Sequence, residues 1–163
     1  MDIIIKKNFL LFKDYKLKCS IGKSGISKLK SEGDLATPKG KYSLGLLYYR
    51  KDRIKNLKTR LKKKIIKKNM GWCDDVKSKK YNKEIRFPFK YHAEKLFRKD
   101  NIYDIVINIK YNFRPAIKSK GSAIFLHLAN KKYKPTEGCV AIKKKDFFKI
   151  LPLIKKKTKI SIL

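Results

Sequence analysis

The longest uninterrupted apolar runs in this chain are four residues, and that brevity constrains its fold more than any other feature. Runs such as 9–12 and 123–126 fall far short of the ~20 residues a membrane-spanning helix needs. They have the length of strands, and polar residues or glycine cut them off on both sides. A chain built this way must assemble many short elements around a shared core. At 163 residues it does so as one domain, and with 42% hydrophobic residues it has the apolar material for that core. Disorder throughout is excluded on the same ground.

Charge comes next. Lys plus Arg number 45 against 13 Asp plus Glu, a formal +32. A field of that sign attracts polyanions and pushes the compact state apart at low salt. Nucleic acid, an anionic envelope polymer and an acidic membrane surface all match it. An AT-rich coding sequence also writes Lys, Ile and Asn at exposed positions, so charge alone assigns no function. Cys19, Cys73 and Cys139 are too few for a disulfide framework, and with no CxxC pair and only two histidines a metal site is not expected. The N-terminal apolar stretch is three residues and is followed by Lys6, Lys7 and Asn8, unlike the 7–15-residue core of an export signal.

Strand patterns dominate. Residues 2–6, 9–13 and 16–21 are β-branched, aromatic or alternating runs, with Lys13-Asp14-Tyr15 placed to close a hairpin. Residues 41–50 read as a strand with Tyr42, Leu44, Leu46 and Tyr48 on one face. Further strands are predicted at 102–109, 123–129, 139–142 and 159–163. Helical spacing is found at 91–98, around Leu96 and Phe97, and at 144–155, where Phe147, Phe148, Leu151 and Ile154 recur and Pro152 interrupts. Segment 50–69 has two readings. Ile54, Leu57, Leu61 and Ile65 form the stripe of a basic amphipathic helix, or they are the core contacts of a lysine-filled connection.

The chemistry-bearing residues lie late in the chain. His127 ends the run Ser122-Ala123-Ile124-Phe125-Leu126, and Cys139 follows it by twelve residues in Pro135-Thr136-Glu137-Gly138-Cys139-Val140-Ala141. If the two strands pair, imidazole and thiol meet in the arrangement a cysteine nucleophile needs. Gly138 would let the backbone turn so that nearby amides face a developing oxyanion. On pattern alone, a buried Cys as a small core hydrophobe and a His as a satisfied strand residue are competing readings.

The same residues resemble the YkuD family of L,D-transpeptidases, which carries an upstream histidine and then [Ser/Thr]-His-Gly-Cys followed by an apolar residue. Thr136, Gly138, Cys139 and Val140 match, and His127 stands at the upstream base. Gly33 to Tyr42 is similar to the family's Thr-Pro-x-Gly-x-aromatic entry to a strand. Gly71-Trp72-Cys73-Asp74-Asp75, Tyr81-Asn82 and Tyr103-Asp104 are similar to a sub-branch that also writes Glu in the nucleophile motif. Glu137 replaces the usual His, and Ala141 stands where Arg or Asn is common.

The resemblance implies a mainly β, mixed β-sandwich domain with one or two flanking helices. It also implies two-step acyl transfer on peptidoglycan stem peptides. Cys139 is the expected nucleophile and His127 the base and acid, with Gly138 at the oxyanion site and the Leu128 carbonyl orienting the imidazole. Glu137 is assigned to the ammonium of an acceptor, and Trp72, Tyr48 and His92 to substrate contact, although packing is the competing reading for all three. No cofactor or metal is called for, no specific nucleic acid is expected, and the chain is taken as a monomer. The family's substrate places it in the cell envelope, whereas the N-terminus shows no export pattern. Hydrolysis at the same site, and a non-catalytic basic module that grips anionic polymer, are the alternatives.

Overall fold

The computed structural model describes residues 1–163, and its regular structure is almost entirely strand. In chain order the elements begin with β1 (Ile3–Lys6), β2 (Phe9–Phe12), β3 (Tyr15–Ser20), β4 (Ile26–Ser27), β5 (Thr37–Pro38) and β6 (Gly40–Tyr49). There follow β7 (Lys63–Ile65), β8 (Met70–Cys73), β9 (Glu84–Arg86), β10 (Ala93–Lys95), β11 (Ile105–Ile109), β12 (Phe125–Leu128) and β13 (Val140–Ile142). Helix α1 (Lys144–Ile150), a 3-10 turn (Leu151–Leu153) and β14 (Lys159–Ile162) complete the chain. Pro152 sits in that 3-10 turn, where its missing N–H ends the α-helical ladder.

The main sheet closes on itself. From β11 its order runs β12, β13, β3, β2, β1, β14, β6, and β6 pairs back onto β11. The sheet is mixed, because β1/β14, β12/β13 and β6/β7 are parallel and the rest antiparallel. Inside it lies a cluster of 25 buried residues, to which α1 contributes Phe147 and Ile150, both fully buried. Period-two alternation sorts the strands between two faces. Ile105, Ile107, Ile109, Leu126, Leu128, Val140 and Ile142 enter this core. Val106, Phe125 and Cys139 point the other way, into a second cluster with Tyr48, Trp72 and Tyr103. A separate three-stranded sheet, β10-β8-β9, covers that second face.

Two local expectations are corrected, and of the two readings of segment 50–69 the lysine-filled connection is the one found. Residues 91–98 form no helix. Ala93, Glu94 and Lys95 pair with Cys73, Trp72 and Gly71, and the Leu96 amide donates to Met70 O at 3.0 Å. A two-turn helix is marginal in water, and here the β8 edge satisfies the same backbone groups. Strand β6 does not keep one face: its register against β11 shifts between Ile107 and Ile109, so Leu44 and Leu47 share the main core while Leu46 and Tyr48 face the second cluster. That is the signature of a β-bulge. Segment 50–69 is a connection, with only the short β7 as regular structure. Ile54, Leu57 and Leu61 are buried in the main core and Ile65 is exposed.

Candidate active site

Strands β12 and β13 run parallel, with His127 opposite Ala141. Cys139 lies two residues before Ala141 and therefore projects on the same side as His127. Both line one pocket of about 340 Å³ that opens beside the three-stranded sheet. The eleven residues that join the strands form an irregular crossover. Asn130 Oδ1 accepts from the amides of Lys132 and Lys134, and Thr136 is pinned to the exit of β3 by Thr136 N to Ile21 O and Lys23 N to Thr136 O.

Thr136 shapes the nucleophile turn. Its hydroxyl donates to Cys139 O at 2.5 Å and accepts from Gly138 N at 3.2 Å. Gly138 has φ of 137°, and a Cβ there would come within 2.9 Å of Ala36 O, so only glycine fits. Because its amide is engaged by Thr136, Gly138 serves the turn. The Cys139 amide, like that of Glu137, has no partner among the turn and loop hydrogen bonds. The Cys139 thiol donates to Ala123 O at 3.2 Å, and its sulfur accepts from Phe125 N at 3.3 Å.

His127 Nδ1 lies 3.0 Å from Leu128 O. A carbonyl only accepts, so Nδ1 carries the proton and Nε2 keeps the lone pair when the ring is neutral. Burial lowers the imidazole pKa to about 4 and raises that of the Cys139 thiol. The resting pair is thus neutral thiol and neutral imidazole.

The sequence patterns assign no site role to Tyr103 or Glu94. The Tyr103 ring meets the His127 ring edge-on at 5.2 Å, and its hydroxyl donates to Glu94 Oε1 at 2.6 Å. Burial raises the Glu94 carboxyl above its ordinary range. Arg98 lies over the Tyr103 ring at 5.2 Å. Glu32, which accepts from Ser122 Oγ at 2.7 Å, lines the pocket from a distant loop. The one local cue was Tyr103 in the family-like Tyr103-Asp104 pair. The neighbourhood of Glu94 depends on the β10–β8 pairing, which no short-range pattern encodes.

The other candidates disperse. Glu137 is exposed at the pocket rim. Trp72 and Tyr48 are buried behind Cys139 rather than in its pocket, Trp72 with its ring against Phe125 at 5.2 Å. His92 is exposed in the loop before β10 and donates from Nδ1 to Asp74 Oδ1 at 2.5 Å, so it reaches the pocket only through Asp74. Cys19, Cys73 and Cys139 are all free thiols.

Four carboxylates line the pocket (Glu32, Asp74, Glu94 and Glu137) against two cations, Arg98 and Lys134. That is four of the chain's 13 acidic residues and two of its 45 basic ones. The catalytic-type pair therefore sits in an acidic pocket on a strongly basic protein. No curated protein matches the chain. The model of the YkuD L,D-transpeptidase catalytic domain matches residues 4–162, nearly its whole length, and the chain belongs to that family.

Proposed function

We propose that this chain is a cysteine-dependent L,D-transpeptidase acting on peptidoglycan stem peptides in the cell envelope. The observation that carries the reading is the shared face of Cys139 and His127 at one pocket mouth, with the imidazole Nε2 lone pair available. Cys139 sulfur attacks the carbonyl at the L-centre of the stem diamino acid while its proton passes to His127 Nε2. The oxyanion faces the free Cys139 amide, and a donor of this kind lowers the barrier by about 3 kcal/mol. The C–N bond to the terminal D-residue breaks, and His127 returns the proton to the leaving amine. The thioester then accepts a second stem's amine, whose proton returns to the sulfur through His127 as the C–S bond breaks.

The acidic pocket supports an amine as the acceptor. An ammonium entering among Glu32, Asp74, Glu94 and Glu137 meets the opposite charge, whereas the rest of the surface repels it. Incubation with a carbapenem should add its mass to the protein at Cys139 and leave Cys139→Ser unmodified. Defined tetrapeptide muropeptides should then yield dimers. A tripeptide product alone would make the enzyme a hydrolase, and no adduct with no turnover would leave a polymer-binding module.

A further inference from the structure

We propose that the groove on the far side of the three-stranded sheet from the Cys139 pocket binds a small organic anion with at least two negative charges on a ring-bearing body. Phosphate esters are the class that its guanidinium forks match. The groove has a volume of about 880 Å³ and lies beside β9, as the Cys139 pocket lies beside β10, with Trp72 of β8 forming its inner wall. Its volume is that of a site for a compact ligand rather than a track for a polymer.

Six cations converge on it: Arg60, Lys62, Lys83, Lys110, Arg114 and Lys156. None of them is in an ion pair. The groove's single carboxylate, Glu84, is already taken by Lys64 at 2.7 Å and by the Tyr48 hydroxyl at 3.0 Å. Lys110 and Arg114 are held over the Phe113 ring, 5.8 and 5.1 Å from its centroid, which places charge beside an aromatic face.

Asn108 points to a ligand independently of charge. It interrupts the run Ile105-Val106-Ile107 and Ile109 in a strand buried at every position, and is itself only 4% exposed. Its carboxamide has no hydrogen-bond partner in the protein and lines the groove. The carboxamide opens onto the groove with both of its polar atoms free, so Nδ2 is placed to donate to a ligand's oxygen. Gly45 keeps that space open, since a Cβ there would come within 3.2 Å of Asn108 Nδ2.

Isothermal titration of the full chain at about 0.15 M salt, where long-range attraction is screened, tests this with inorganic pyrophosphate and uridine diphosphate as probes. Saturable one-to-one binding is expected, tighter for uridine diphosphate because its ring adds contact. Lys110→Ala with Arg114→Ala should weaken binding by about tenfold or more, as should Asn108→Leu. Lys144→Ala with Lys145→Ala, which removes the same charge from the start of α1, should leave affinity within about twofold. Absence of one-to-one binding for both probes would overturn the proposal, as would equal losses from the two double variants or unchanged affinity in a folded Asn108→Leu. If Asn108→Leu does not fold, the comparison of the double variants decides. Cys139→Ser should bind as the parent does, which separates this site from the acyl-transfer reading.

Discussion

At Cys139 and His127 the same burial acts in opposite directions on two ionisations. It disfavours the thiolate and the imidazolium alike, so the ground state is the uncharged pair. In the proposed reaction, proton transfer would then accompany attack on the carbonyl instead of preceding it. Alkylation of Cys139 by iodoacetamide should therefore rise about tenfold per pH unit from about pH 6 to about pH 9, because only the thiolate reacts. A rate plateau at neutral pH, measured by mass mapping of the Cys139 peptide, would instead reveal a thiolate–imidazolium pair. The imidazole has a second consequence. Its pKa falls from 6.5 to about 4 on folding, so between those values the unfolded chain binds more protons and stability drops as pH falls. The full effect corresponds to about 3 kcal/mol. Urea unfolding at about pH 4.5 and about pH 7 should show His127→Gln losing about 2 kcal/mol less than the parent across that interval. His92 has the opposite sign, since its pKa is raised chiefly by its hydrogen bond to Asp74, and its contribution fades as pH rises. Its high exposure to solvent screens that contribution. Equal losses in parent and variant would mean that His127 is not buried as described.

Among the elements, the small β10-β8-β9 sheet has the most to do with function, because it carries Glu94 on one side and Trp72 at its centre. Asn82 ties it to the main sheet. Its Oδ1 accepts from Trp72 Nε1 at 2.9 Å and from Ala123 N at 3.0 Å, and its Nδ2 donates to Tyr111 O and Asn112 O at 3.1 and 2.6 Å. Asn82→Ala leaves the indole N–H and the Ala123 amide unpaired, so stability should fall by about 3 kcal/mol in denaturant unfolding. A loss below about 1 kcal/mol would show that water replaces these bonds. The same sheet marks where sequence patterns become unreadable. The β1–β2–β3 meander alternates, β11 and β12 lie in apolar runs rich in Ile, Val, Phe and Leu, and the Thr136-Gly138-Cys139 turn declares itself by residue type. Met70–Cys73 is buried at every position and Ala93–Lys95 is three residues long, so neither has a period to detect. Leu96 and Phe97, which look like a helical pair, serve separate purposes. Leu96 fills the second cluster, and the Phe97 ring stacks under the Arg50 guanidinium at 3.5 Å.

The whole molecule carries its charge unevenly, and that asymmetry governs how it responds to salt. Nine ion pairs are present, and most involve a side chain well exposed to solvent, such as Lys41 to Asp2, His92 to Asp74 and Arg98 to Asp100. Exposed pairs of this kind contribute about 0–1 kcal/mol each, and salt weakens them. Against them stands the mutual repulsion of a formal +32 on 163 residues. That repulsion acts over many long separations, the regime that screening abolishes first. The Debye length falls from about 30 Å at 0.01 M to about 3 Å at 1 M. Repulsion should therefore be lost sooner than local attraction, and the melting temperature should rise with sodium chloride over this range. The steepest part should lie below about 0.1 M, where the screening length is still comparable with the size of the domain. A scan of Tm against sodium chloride checks the ordering of the two effects. A falling Tm would mean that the nine pairs outweigh the field, and the lysine coat would then be balanced locally rather than tolerated at a cost in stability.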